Sequence, residues 1–136
     1  MMHYTIVFFL IALAVAISAF QEKPQFDLKA SIAKGKEVYN TYCQSCHMEQ
    51  GEGLEDVYPP LAKSDYLMAD KKRMIQQILY GANTPMKVNG KNYEAEMTGF
   101  DLKDEEVSDL ANYIRNSFGN KGPAVKPEEV SIVRKK

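Results

Sequence analysis

The chain has 136 residues, a formal net charge of −1 and no tryptophan. That length suits one small domain plus an export segment. The near-neutral balance offers no strong field for nucleic acid or an anionic membrane surface. The two cysteines, Cys43 and Cys46, lie within one short motif and leave no disulfide framework.

Residues 1–19 hold an apolar run from Tyr4 to Ala19 that ends in the small residues Ala16, Ser18 and Ala19. The run is short for a bilayer span, which needs about 20 residues. It fits the core of a secretory signal cut after Ala19, although only His3 precedes it where Lys or Arg is usual. The alternative is an uncut anchor through residues 4–19. Both place the rest of the chain outside the cytoplasm, in the periplasm or on a membrane facing it. Residues 20–30 read as a linker.

Ala30 to Cys46 reads as a helix, with Ile32, Val38, Tyr39 and Tyr42 as its apolar and aromatic positions. Gly35 stands on the face of Tyr39, one turn earlier. A mid-helix glycine costs up to about 1 kcal/mol against alanine, so it marks either a close helix crossing or a tolerated surface site. The helix runs into Cys43-Gln44-Ser45-Cys46-His47, the Cys-x-x-Cys-His attachment signature for c-type haem. Two thiols on one helical turn can each add across a porphyrin vinyl group. His47 then lies under the iron as a proximal ligand. A thioredoxin-like dithiol or a zinc site also uses Cys-x-x-Cys. The dithiol needs no adjoining histidine and expects a βαβ pattern, which is not seen. A closed zinc site needs four ligands, and the chain's whole supply is two Cys and two His, one of them His3.

Glu49 to Pro60 is a loop with Gly51, Gly53, Pro59 and Pro60, its acids Glu49, Glu52, Glu55 and Asp56 solvated. Ser64 to Leu67 is a short helical turn. Asp70 to Tyr80 is a second main helix with Met74, Ile75, Ile78 and Leu79 as its stripe, Gln76 and Gln77 falling mostly elsewhere, and Gly81 as its stop. Lys71-Lys72-Arg73 reads as a solvated helix start or, alternatively, a dock for an acidic partner. Ala82 to Phe100 is a long loop, a length that usually carries a function. Lys103 to Phe118 is the third main helix. Its first turn is acidic at Asp104, Glu105 and Glu106, and its apolar face is Val107, Leu110, Ala111, Tyr113 and Ile114. Residues 121–136 read as a polar tail whose Val130, Ile132 and Val133 can pack back, with a fraying basic end. No strand is expected.

If His47 takes one axial position, the other is sought by elimination. His3 lies in the export segment. Met48 adjoins His47, Met74 sits in an apolar stripe, and Met68 is too close to the start of its helix. Met86 and Met97 share the long loop. The choice falls on Met97, flanked by polar Glu94, Glu96 and Thr98, with Met86 or an open site as the alternatives. A Met/His pair raises the potential and suits electron transfer.

Between Ser31 and Asn120 the sequence resembles the class I (mitochondrial-type) cytochrome c family in its bacterial exported form. The resemblance rests on Gly35-x-x-x-Tyr39-x-x-x-Cys43-x-x-Cys46-His47, on Pro59-Pro60-Leu61, on Met97-Thr98-Gly99-Phe100 followed by Leu102 to Glu106, and on Leu110-Ala111-Asn112-Tyr113-Ile114-Arg115. It implies an all-α fold, residues 31–120, with three main helices and loops wrapped around one covalent haem c and its iron. It implies a crossing of Gly35 and Tyr39 with Leu110 and Tyr113. Pro59 matches the family proline whose carbonyl accepts a hydrogen bond from the proximal imidazole. Thr98 and Lys103 depart from the family's usual proline and Ser or Thr cap, leaving Asp101 or Asp104 to cap the third helix.

The implied function is one-electron transfer with His47 and Met97 as ligands, in a respiratory or periplasmic chain, and no substrate chemistry. Redox partner proteins, a dehydrogenase or an oxidase, follow from it. Val88-x-Gly90 and Asn116-x-Phe118-Gly119-Asn120 also look like electron-accepting subunits of exported sugar or alcohol dehydrogenases. A haem gas sensor and a thiol–disulfide enzyme are the remaining alternatives.

Overall fold

The computed structural model describes residues 25–83 and 85–135. The leader, residues 1–19, and the first part of the linker lie outside the described residues. Among the described residues six helices carry the fold, helped by two short antiparallel ladders.

Helix α1, Leu28–Tyr42, starts two residues before the expected Ala30 because Asp27 caps it, its Oδ1 accepting from Ala30 N–H at 3.0 Å. Cys43 breaks the run and opens the single turn α2, Gln44–His47. Helix α3, Asp65–Ala69, is capped by Ser64, and α4, Lys71–Tyr80, by Asp70. The α4 stripe is as expected: Met74, Ile75, Ile78 and Leu79 are all buried. Helix α5, Asp104–Arg115, is capped by neither Asp101 nor Asp104. Lys103 holds the cap position, and the Glu106 side chain reaches back to accept from Lys103 N–H at 2.9 Å.

Helices α1 and α5 cross at Gly35. A Cβ built there would lie 1.9 Å from Asp109 O and 2.8 Å from Tyr113 Cβ, so only glycine admits this approach. Around the crossing Tyr39, Tyr113 and Phe118 pack in tilted and edge-on pairs with centroids 5.1–5.3 Å apart.

The expectation of no strand is corrected. Strands β2, Met86–Val88, and β3, Lys91–Tyr93, form a hairpin over Asn89-Gly90, both at positive φ (49° and 85°), the conformation a two-residue hairpin turn needs. Strand β1, Gly81–Ala82, pairs antiparallel with β4, Met97–Thr98. The long loop is thus two ladders that fold back on α4.

The segment after residue 120 is also more ordered than a polar tail. It carries α6, Pro127–Arg134, with proline in the first turn where its missing N–H is harmless. Val125, Val130 and Val133 are buried in the core, while Ile132 is exposed. Arg134 does not fray. Its Nε donates to Asp104 Oδ1 at 2.8 Å and its Nη2 to Leu102 O at 2.5 Å. Buried Asn112 on α5 ties the strap down: Nδ2 donates to Val125 O (2.8 Å) and Ser31 Oγ (2.9 Å), and Oδ1 accepts from Val125 N–H (2.7 Å). Among the described residues no helix is long and apolar enough to cross a membrane.

Candidate functional site

The end of α1 sets up the site. Cys43 N–H donates to Tyr39 O at 2.9 Å, and His47 N–H donates to Cys43 O at 2.9 Å. Cys43, Cys46 and His47 therefore stand at i, i+3 and i+4 of one turn, on one face. The chain then leaves sharply through Met48 at φ 64°. That conformation costs on the order of 1–3 kcal/mol, and Tyr39 holds it, its buried hydroxyl donating to Met48 O at 2.6 Å. Burial, with the neighbouring Cys43 next in size, pushes the Tyr39 hydroxyl well above the usual phenol range.

The imidazole of His47 is buried, and its Nδ1 lies 3.0 Å from Pro59 O. A carbonyl only accepts, so Nδ1 carries the proton and the lone pair sits on Nε2. Burial pushes the ring below its usual pKa, and the Pro59 bond opposes that shift in part. That lowering favours the neutral ring, the form that ligates a metal.

Cys43, Cys46, His47 and Pro59 line a cavity of about 370 Å³. Its other walls come from α3, α4, the β2–β3 hairpin, β4 and α5, the last through Leu110 and Ile114. Met97 lines it too, on β4, whose backbone is clamped: Ala82 pairs with Met97, and Gly81 lies against Met97 O. Met86 and Met74 also reach the cavity, whereas Met68 and Met48 do not line it. His3 lies outside the described residues. The five site residues expected from sequence thus meet at one cavity.

The donor set fits a covalent haem. Two unpaired thiols, a neutral imidazole with its lone pair available and a thioether share an apolar space in the size range of cofactor pockets. A dithiol enzyme fits less well. Burial, then the adjoining Cys46, pushes the Cys43 thiol up to about 12, far from the thiolate that attack requires. Among the described residues no three His, Cys, Asp or Glu side chains gather as a metal-holding group.

A family model described as Cytochrome c matches residues 32–118. The chain belongs to the cytochrome c family. Members of that family bind covalent haem c with its iron and transfer electrons. The domain is 34% identical over 114 residues to cytochrome c-552 of Thermus thermophilus, covering 76% of this chain and 86% of that protein. It is 31% identical over 91 residues to the cytochrome c subunit of a quinone alcohol dehydrogenase of Gluconobacter oxydans, covering 65% of this chain but 19% of that one. A third cytochrome, the FixP subunit of a cbb3-type cytochrome c oxidase of Bradyrhizobium diazoefficiens, is 33% identical over 113 residues, 79% of this chain and 38% of its own.

Sequence reasoning missed several residues that line the cavity, among them Tyr58, Tyr66 and Gln77. Gln77 was placed off the α4 stripe, yet it stands at i+3 from Met74 and faces the cavity. The Lys71-Lys72-Arg73 cluster divides. Lys71 pairs with Glu129 on α6, Lys72 is exposed, and Arg73 lies over the Tyr66 ring at 3.7 Å.

Proposed function

We propose that this chain is a one-electron carrier working outside the cytoplasm. In it Cys43 and Cys46 would hold a haem through thioethers, and His47 and Met97 would ligate its iron. The observation that carries the assignment is the cavity itself, where two thiols, the Nε2 lone pair of His47 and the Met97 thioether share one apolar space. The bound haem supplies a reversible one-electron couple at its iron.

The protein's part is binding, orientation and exclusion of water. Pro59 O fixes the tautomer and plane of His47 and raises its basicity as a ligand. The β1–β4 ladder holds the Met97 backbone, which would keep its thioether placed as a ligand. Leu67, Ile78, Leu110 and Ile114 keep the cavity apolar. These features suit a carrier between redox proteins such as a dehydrogenase and an oxidase. Residues 4–19 either direct export or attach the carrier to the membrane.

The test is an intact mass with a reduced-minus-oxidised spectrum, on protein made in a host that installs haem. A mass equal to the bare polypeptide, or a chromophore that does not cycle, refutes the proposal. A second reading, a fixed haem subunit of an exported dehydrogenase, is favoured by the likeness to the alcohol dehydrogenase subunit. Co-purification with a dehydrogenase at high salt separates that from a free shuttle.

A further inference from the structure

The chain leaves the β1–β4 ladder after Ala82 and rejoins it at Met97, and the β2–β3 hairpin lies between. The hairpin walls the cavity through Met86 and Val88. It has three residues a strand, and a two-stranded hairpin of that kind is marginal in water by itself. Buried Val88 and Tyr93 pack it inward. Its tip stands clear of the fold, since a Cβ built at Gly90 meets nothing within 4 Å.

Two ties hold the hairpin from outside. At the turn, Asn89 N–H donates to Asp65 Oδ1 at 2.7 Å, and Asp65 N–H donates to Asn89 Oδ1 at 3.1 Å. One residue past the turn, Lys91 Nζ pairs with the Glu55 carboxylate and lies 3.7 Å from Asp56 Oδ1. The Lys91 hydrogen bond, and then its charge, hold the Glu55 carboxyl below the usual carboxylate range. Glu55 and Asp56 sit inside the turn closed by the Leu54–Tyr58 bridge. Tyr58 lines the cavity, and so does Pro59, which bonds His47. Lys91 thus joins two walls, the hairpin and the loop that supports the proximal histidine. Two of the four ion pairs among the described residues lie at this junction. Lys87 and Glu94, the other charged residues on or beside the hairpin, form none there. Lys91, Glu55 and Asp56 do not line the cavity themselves.

We propose that the hairpin, residues 86–93, is a flap over the cavity, and that Lys91, paired with Glu55 and Asp56, is its latch. Opening lifts Met86 and Val88 away from the cavity while the β1–β4 ladder keeps the Met97 backbone in place. Lys91 is a positioning residue, acting on the cavity through the hairpin. The flap and its latch stand on this geometry alone. Their consequence, control of small-ligand entry to the haem, rests on the haem reading above. The latch is an exposed ion pair, so salt works it: the screening length falls from about 30 Å at about 0.01 M to about 3 Å at about 1 M. The Asn89–Asp65 tie contains no cation and stays closed to that influence.

The experiment is amide hydrogen exchange of the holoprotein, read by mass spectrometry on the peptide holding residues 86–93. It compares the unaltered protein with Lys91→Met and Lys91→Arg, at low salt and in about 1 M sodium chloride. At low salt the Lys91→Met hairpin exchanges about threefold faster, the weight of an exposed ion pair. Lys91→Arg matches the unaltered protein. High salt brings the unaltered protein to the Lys91→Met rate and leaves that variant as it was. Peptides from α5 keep their rates throughout, which a general loss of stability would not allow. A Lys91→Met hairpin that exchanges like the unaltered one at low salt overturns the proposal, as does equal acceleration in α5. If Lys91→Met yields no holoprotein, Glu55→Gln combined with Asp56→Asn removes the other half of the latch and decides in the same way. Cyanide association with the ferric holoprotein quickens by the same factor in Lys91→Met; an unchanged rate overturns the flap's control of entry. A mass without haem refutes the cofactor reading instead, so the two failures are distinguishable.

Discussion

Gly35→Ala separates two opposite expectations for one methyl group. In an exposed helix the change stabilises by about 1 kcal/mol, because alanine loses less backbone freedom. Here the new Cβ would sit 1.9 Å from Asp109 O and 2.4 Å from Asp109 C, both backbone atoms that cannot swing aside. Ordinary contact begins near 3.4 Å, so α1 and α5 must part by more than an ångström. A gap of about 0.5–1 Å already forfeits a quarter to a half of each dispersion contact across the seam. The residues that would lose those contacts include Tyr39 and Leu110, both fully buried. Overpacking of this kind costs about 1–3 kcal/mol and occasionally more. With backbone rather than side chain obstructing, the top of that range applies. After the helix gain is subtracted, a net loss of about 2 kcal/mol remains. Guanidinium unfolding of the holoprotein reads it as a lower midpoint at unchanged m. A midpoint that stays put or rises refutes the close crossing.

Three further outcomes are expected. Met97→Ala keeps its covalent haem by intact mass but loses the sulfur-ligated low-spin spectrum almost wholly, and its ferrous form binds carbon monoxide; a spectrum that survives points to Met86 instead. Asn112→Ala strands the buried Val125 N–H and removes the bonds to Val125 O and Ser31. It should cost about 2–4 kcal/mol in chemical unfolding, and a cost within error of zero removes the strap's anchor from the account. The Glu129 carboxyl is pushed up by burial, but the hydrogen bond and charge of Lys71 and the Lys126 N–H outweigh that and leave it below its usual range. Its contribution is present above its unfolded pKa and lost as pH falls through the lower folded value. Stability of the unaltered protein should therefore drop more steeply than that of Lys71→Met between about pH 5 and pH 3. Parallel curves would count against the pair.

What could be read from the sequence follows the range of the interactions. Cys43, Cys46 and His47 were legible because one helical turn brings them together with no help from the rest of the chain. The place of Met97 at the cavity was reachable by elimination, and the crossing at Gly35 by its cost in mid-helix. The hairpin was legible and went unread: Asn89-Gly90 is flanked by Met86-Lys87-Val88, which alternates in burial, and by Lys91-Asn92-Tyr93, which ends on buried Tyr93. The β1–β4 ladder was not, since two residues a side carry no pattern and the pairing is imposed by the chain closing over α4. Helix α6 left a weak local signal, Pro127 at its start and Val130 and Val133 at i and i+3. Its docking depends on Asn112, which reads as one more polar residue in a helix. Tyr66 and Gln77 gave no warning at all, because each is ordinary on its own element and significant only where α3 and α4 meet.

Helix α5 ties these parts into one device, because its three faces have three separate tasks. Leu110 and Ile114 face the cavity. Asp109 and Tyr113 meet Gly35 and Tyr39 of α1. Ser108 and Asn112 bond the Val125 strap, each donating to Val125 O. A helix held from two sides cannot retreat from the third, so the wall it presents to the haem cavity is fixed by contacts that never touch the cofactor. The turn bearing Cys43 and His47 is fixed from the same place, since Tyr39 both packs on Tyr113 and hydrogen-bonds Met48 O just beyond His47. Loosening the α1–α5 crossing should therefore disturb the redox potential as well as the stability, through His47 and the Leu110–Ile114 wall together. If Gly35→Ala lowers the unfolding midpoint yet leaves the potential untouched, the crossing supports the fold alone and the site is held by its own loops.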